Sequence, residues 1–169
     1  MPEYRGTTHP TPTPRRVDPL VAIMIEAPLQ IGEAFEGPSK TLTDAHFLFF
    51  SGITGDVHPI HYDIEYAKKT RFGKPLAHGL LLAGLTALGA SNARERLEGF
   101  VFVEQSCRFL RPAVVGDTVR PRFTVEKIWQ EGERRFCRIK TALLNQRNET
   151  LLEGFHIYRI LRHEAKEKN

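Results

Sequence analysis

A chain of 169 residues, 41% of them hydrophobic, has the material for one substantial core and too little for two full domains. Its formal charge of +4 favours an anionic partner, but the basic residues are scattered through strands and termini. They form no Lys/Arg stripe interleaved with aromatics, so nucleic acid is not the expected partner, and a phosphate-bearing small molecule fits at least as well.

The most apolar run, residues 80–90, falls well short of the ~20 residues that span a bilayer. The start of the chain lacks a signal-peptide pattern. A soluble, cytoplasmic protein with no membrane partner is expected, and Cys107 and Cys137, both in strand-like runs, are expected as reduced thiols.

Residues 1–19 carry Pro10, Pro12, Pro14 and Pro19 among Thr and Arg and read as a flexible arm. A single domain is expected over 20–163, with a charged tail at 164–169. Gly32, Gly37 and Pro38 punctuate residues 31–42, predicting two short strands or one broken strand. Thr43 and Asp44 before an apolar run mark a helix start, with the helix ending near Ser51. Residues 63–69 predict a second helix, capped by Asp63, with Tyr66 and Ala67 inward and Lys68 and Lys69 exposed. Arg71-Phe72-Gly73-Lys74-Pro75 is a turn by composition.

Residues 77–93 predict the longest helix, apolar on every side in its first half and therefore wrapped by other structure. After Gly99 the period changes to two. Residues 100–109, 117–129, 134–144 and 150–161 read as four successive strands, with Val119, Phe123 and Val125 alternating against Arg120, Arg122 and Thr124. One apolar helix followed by an antiparallel meander predicts an α+β layer fold, and a sheet edge left open predicts at least a dimer.

The chemistry concentrates between Thr54 and Gly79. Asp56 and His61 flank Pro59, whose fixed backbone can turn a carboxylate and an imidazole toward one point, and such a pair can add or remove water across an activated double bond. Gly79 falls in the first turn of the apolar helix, where backbone N–H groups lack intrahelical partners and can stabilise a developing oxyanion.

Asp56, His58, His61 and Asp63 are also possible metal ligands. Pro59 separates the histidines, Asp63 is better used as a cap, and the spacing matches no common zinc pattern, so no metal is expected. His78, entering the helix beside glycine, is given a supporting role.

The string Thr54-Gly55-Asp56, then Pro59-Ile60-His61-Tyr62-Asp63, Ala67, and Phe72-Gly73-Lys74-Pro75-Leu76-Ala77-His78-Gly79-Leu80-Leu81 resembles the signature of the MaoC-like dehydratases, the (R)-specific enoyl-CoA hydratase family. The likeness is strong in the helical half and only a matter of pattern in the strands. It implies a single hotdog fold, an antiparallel sheet wrapped around one long apolar helix. Members of the family are usually dimeric or a fused double hotdog, so a homodimer or higher homo-oligomer is expected here, with a 2-enoyl thioester of coenzyme A as substrate.

On this likeness Asp56 and His61 are the catalytic pair and the Gly79 amide polarises the thioester carbonyl. No cofactor is implied beyond the coenzyme A that the substrate carries. Where well-understood members have Asn between the Asp and the Pro, this chain has His58, which bears on substrate range. His58 and His78 are candidates for contact with substrate, and Arg71, Lys74, Arg108 and Arg111 for the grip on coenzyme A. Two other readings of the fold are an acyl-CoA thioesterase, which needs a carboxylate or nucleophile that residues 77–90 do not offer, and a non-catalytic acyl-CoA-binding subunit.

Overall fold

Helical turns fill the first half of the chain and long strands the second. The computed structural model describes residues 29–161, so the arm at 1–19 and the tail at 164–169 lie outside the described residues. In chain order the elements are β1 (Ala34–Glu36), β2 (Lys40–Thr41), α1 (Asp44–Thr54), a 3-10 turn at Pro59–His61, α2 (Ile64–Lys68) and α3 (Gly79–Gly84). Two more 3-10 turns follow, at Leu88–Ala90 and Arg94–Arg96, then β3 (Phe100–Phe109), β4 (Thr118–Glu131), β5 (Arg134–Asn145) and β6 (Thr150–Ile160).

The alternation in β4 works as its sequence predicts. Val119, Phe123 and Val125 are buried, while Arg122 is exposed and pairs with Glu36 at 2.9 Å on the wet face. β1 and β2 both pair antiparallel with β4, so residues 31–42 form two short strands.

β4, β5 and β6 form a meander, but β3 pairs with β6 rather than β4, giving the order β1-β4-β5-β6-β3. The expected run of four neighbouring strands is therefore corrected. β3 occupies the sheet edge, and its close approach to β6 requires Gly154, where a Cβ would stand 1.9 Å from the Ser106 carbonyl oxygen.

The single long helix expected over 77–93 is also corrected. α3 ends at Gly84, Leu85 is its C-cap, and Ala87 turns to an extended-like backbone before the Leu88–Ala90 turn. The break lets one segment serve two core clusters. Leu82 and Ala83 pack with Leu42, Phe47, Val119 and Leu143, while Leu88 and Ala93 pack with Phe35, Phe123, Val125 and Ile139. The Thr86 hydroxyl donates to the Ala83 carbonyl at 2.6 Å, competing with continuation of the helix.

α1 runs one turn past Ser51, and its buried residues are Phe47 and Ser51, four apart on one face. The Asp63 carboxylate accepts from the Tyr66 amide at 2.9 Å and caps α2, whose Ala67 is fully buried; Tyr66, expected inward, is exposed. No described helix is long and apolar enough to cross a membrane.

Candidate active site

Gly55 closes α1 in the left-handed region at φ 76°, a conformation that favours glycine, and its amide donates to the Ser51 carbonyl at 2.8 Å. The chain thus reverses immediately before Asp56. Pro59 then opens the 3-10 turn that carries His61 back toward it.

The result is a pair with His61 Nε2 3.8 Å from Asp56 Oδ2. His61 Nδ1 lies 2.6 Å from the Leu76 carbonyl oxygen. A carbonyl only accepts, so Nδ1 carries the hydrogen and Nε2 presents a lone pair to the carboxylate side. The imidazole is largely enclosed, whereas half of the Asp56 side chain is exposed.

His78 lies beneath this pair. Its ring stacks on that of His61, with centroids 3.6 Å apart and planes 20° from parallel, and it is buried between Phe47 and Phe50. Its Nε2 donates toward the Asp56 carbonyl oxygen and Ser51 Oγ, each at 3.2 Å. Burial holds His78 below the ordinary imidazole range, and the bond to the Asp56 carbonyl opposes that shift.

Gly79 is the first residue of α3, with His78 as its N-cap, so its N–H has no intrahelical acceptor. A Cβ at Gly79 would meet the Phe109 ring at 3.3 Å, so the end of β3 abuts this helix start. The seam is fixed by Ala77 N–H to Ala113 O at 2.8 Å and Val115 N–H to Pro75 O at 3.1 Å.

Lys74 precedes that seam and is exposed, and Arg71 places its guanidinium over the Phe72 ring. Arg108 is exposed on β3, and Arg111 donates to the Thr150 carbonyl at 3.0 Å. His58 caps the 3-10 turn, its Nδ1 accepting from the Ile60 amide at 3.3 Å.

Three residues that the sequence alone does not assign to the site belong to it: Ser51, Leu76 through its carbonyl, and Phe109. Only Ser51 had a signal, as the polar residue one helical turn after Phe47.

Asp56, His61 and His78 bring ligand-type atoms within 4.8 Å of one another, and the other contacts of these side chains compete with holding a cation. His78 Nε2 is committed as a donor to a carbonyl, and stacked rings do not converge their lone pairs on one point. The other candidate ligands are engaged as caps, His58 on Ile60 and Asp63 on Tyr66. Burial pushes the Cys137 thiol up to about 11 and raises Cys107 too, which disfavours the thiolate at both.

The family described as "MaoC like domain" matches residues 26–146. The chain belongs to the MaoC-like family. It is 32% identical over 104 residues to the (R)-specific enoyl-CoA hydratase of Rhodospirillum rubrum, a match covering 62% of this chain and 70% of that one. The solved (R)-hydratase of Aeromonas caviae superposes with a TM-score of 0.70 at 26% identity, covering 79% of this chain and 98% of that one. A Mycobacterium tuberculosis protein described as a double hotdog fold matches with a TM-score of 0.66 at 20% identity, over 83% of this chain and 45% of that one. The MaoC-like chain thus has the hotdog fold, as the sequence resemblance implies, and it is an enzyme of the hydratase and dehydratase class.

Proposed function

We propose that this MaoC-like protein reversibly hydrates a trans-2-enoyl thioester of coenzyme A to the (R)-3-hydroxyacyl thioester. The observation that carries the reading is the facing of two acceptors, His61 Nε2 and Asp56 Oδ2, at 3.8 Å. That separation is too long for a good direct hydrogen bond and suits one water bonded to both at ~2.8 Å.

Such a water directs both hydrogens at the pair and a lone pair at the substrate. His61 takes one proton as the oxygen attacks C3, the electron pair of the double bond moves toward the thioester carbonyl, and the pair returns a proton to C2. Both groups end as they began. The Gly79 N–H is the donor for the charge on the thioester oxygen, a contribution worth about 10² to 10³ in rate for one well-placed group.

Arg71, Lys74, Arg108 and Arg111 are assigned to the coenzyme A phosphates, because the turn that carries the first two and the end of β3 with the loop after it, which carry the others, meet at the seam between residues 75–77 and 113–115. The active form is a homodimer. β3 pairs with β6 on one side only and leaves Val101, Phe102 and Val103 about half exposed on its free edge. With Phe109 against Gly79, a second copy on that edge borders the site.

The test is a spectrophotometric screen of enoyl-CoA thioesters, starting with crotonyl-CoA, with chiral analysis of the product. Loss of the conjugated absorbance with formation of the (R)-alcohol is expected. Saturable acyl-CoA binding without consumption of any enoyl-CoA would replace this reading with that of a binding subunit.

A further inference from the structure

We infer that His78 is a positioning residue: its Nε2–H holds the main chain of Asp56 while its ring face carries the ring of His61. One buried side chain then sets the distance between the two groups of the pair. The meaning of that distance rests on the hydratase reading, but the contacts themselves do not.

Every contact of the ring bears on this. It is 2% exposed, edged by Phe47 and tilted against Phe50. Its Nε2 meets the Asp56 carbonyl and Ser51 Oγ, and one face lies on His61. Its Nδ1 is buried with no hydrogen-bond partner.

A bare ring nitrogen in that setting is tolerable as a lone pair and costly as an N–H, so the neutral, Nε2-protonated form is the one the packing accepts. A charged His78 would also set two cations face to face once His61 accepted a proton. Among the described residues, the titratable groups in contact with this stack are Asp56 and His58, and α1 contributes Ser51, Phe47 and Phe50. His78 therefore gives His61 a neutral aromatic floor, on which an imidazolium is stabilised by its contact with the ring face.

Two measurements test this on the full chain. In ¹⁵N-histidine NMR spectra at neutral pH, the resonances removed by His78→Gln should belong to a neutral Nε2–H tautomer. An imidazolium or an Nδ1–H tautomer there would overturn the proposal whether or not the protein hydrates anything.

In kinetics, His78→Leu should lower kcat at least tenfold with KM within about threefold, and move the acid limb of kcat/KM about half a unit lower. His78→Gln restores an N–H donor without the ring. It should recover kcat to within about threefold while keeping the displaced limb. A folded His78→Leu with native kcat and an unmoved profile refutes the role, and if that variant fails to fold, an unmoved limb in His78→Gln does the same. A native protein inactive on all enoyl thioesters sinks the hydratase reading alone and leaves the NMR result to decide His78.

Discussion

His156 Nε2 lies 3.2 Å from the hydroxyl of Thr86, which ties β6 to the segment that leaves α3. The direction of the whole chain of bonds follows from chemistry. Thr86 gives its hydrogen to the Ala83 carbonyl, so it accepts from His156, and His156 Nδ1 is left as a lone pair for the Tyr158 hydroxyl at 3.2 Å. Each member is satisfied only while His156 is neutral, and burial lowers its pKa from 6.5 to about 4.

The sign of the pH effect follows. The unfolded chain takes a proton on His156 as pH falls through 6.5, whereas the folded chain resists until about 4. Its contribution is thus fully present above 6.5 and lost progressively between those values. Denaturant titrations at about pH 7.5 and about pH 5 should show the native protein losing roughly 2 kcal/mol more than His156→Gln over that interval. His78, also held low by burial, acts in the same direction, so the comparison with the variant isolates His156. Equal losses in both proteins would mean that the network does not depend on a neutral His156.

Asp56→Asn and His61→Gln each leave a side chain of similar shape and remove an acceptor from the pair. Either change should lower kcat by about 10² to 10⁴. Asp56 is half exposed, so little stability depends on it, and thermal melts should show Asp56→Asn within a few degrees of the native protein. Near-native turnover in either variant would remove the pair from the mechanism.

The strands were legible to within two residues because period-two alternation survives locally. Asp63 as a cap was legible because capping depends on residues three apart. The end of α3 was not legible: a run of Leu and Ala has no polar face to mark a period, and what stops the helix is the demand of a second cluster for Leu88 and Ala93. The partner of β3 was equally hidden, since its register with β6 joins residues such as Phe100 and Ile160. In the site, the proximity of Asp56 and His61 was readable from five residues and a proline. The place of His78 depends on Ser51, 27 residues earlier, and on Phe47 and Phe50.

His58 stands where the resemblance to well-understood MaoC-like hydratases leads to an expectation of Asn, and its observed contact is one that Asn can also make. Its Nδ1 accepts from the Ile60 amide, the bond an Asn carboxamide oxygen makes two residues before its donor. His58→Asn should therefore keep kcat within about threefold, whereas His58→Ala loses the cap and should cost about 1 kcal/mol in denaturant stability together with part of the turnover. If the alanine variant matches the native protein in both measurements, the cap has no role in holding Pro59–His61.

The free edge of β3 gives the last prediction. Val103 falls where the β3–β6 register shifts, so it has no partner on β6, and Val101 and Val103 are both about half exposed. An edge of this length left bare invites pairing, and Lys residues on it oppose pairing through charge and desolvation. Light scattering after size exclusion should give the native protein twice the mass of the chain, and Val101→Lys/Val103→Lys the mass of one chain. Because Phe109 at the end of the same strand lies against Gly79, dissociation should also lower activity, and raising the protein concentration until the dimer re-forms should restore it. A native protein that is already monomeric would overturn the homodimer, and a double variant that remains dimeric would move the interface away from β3.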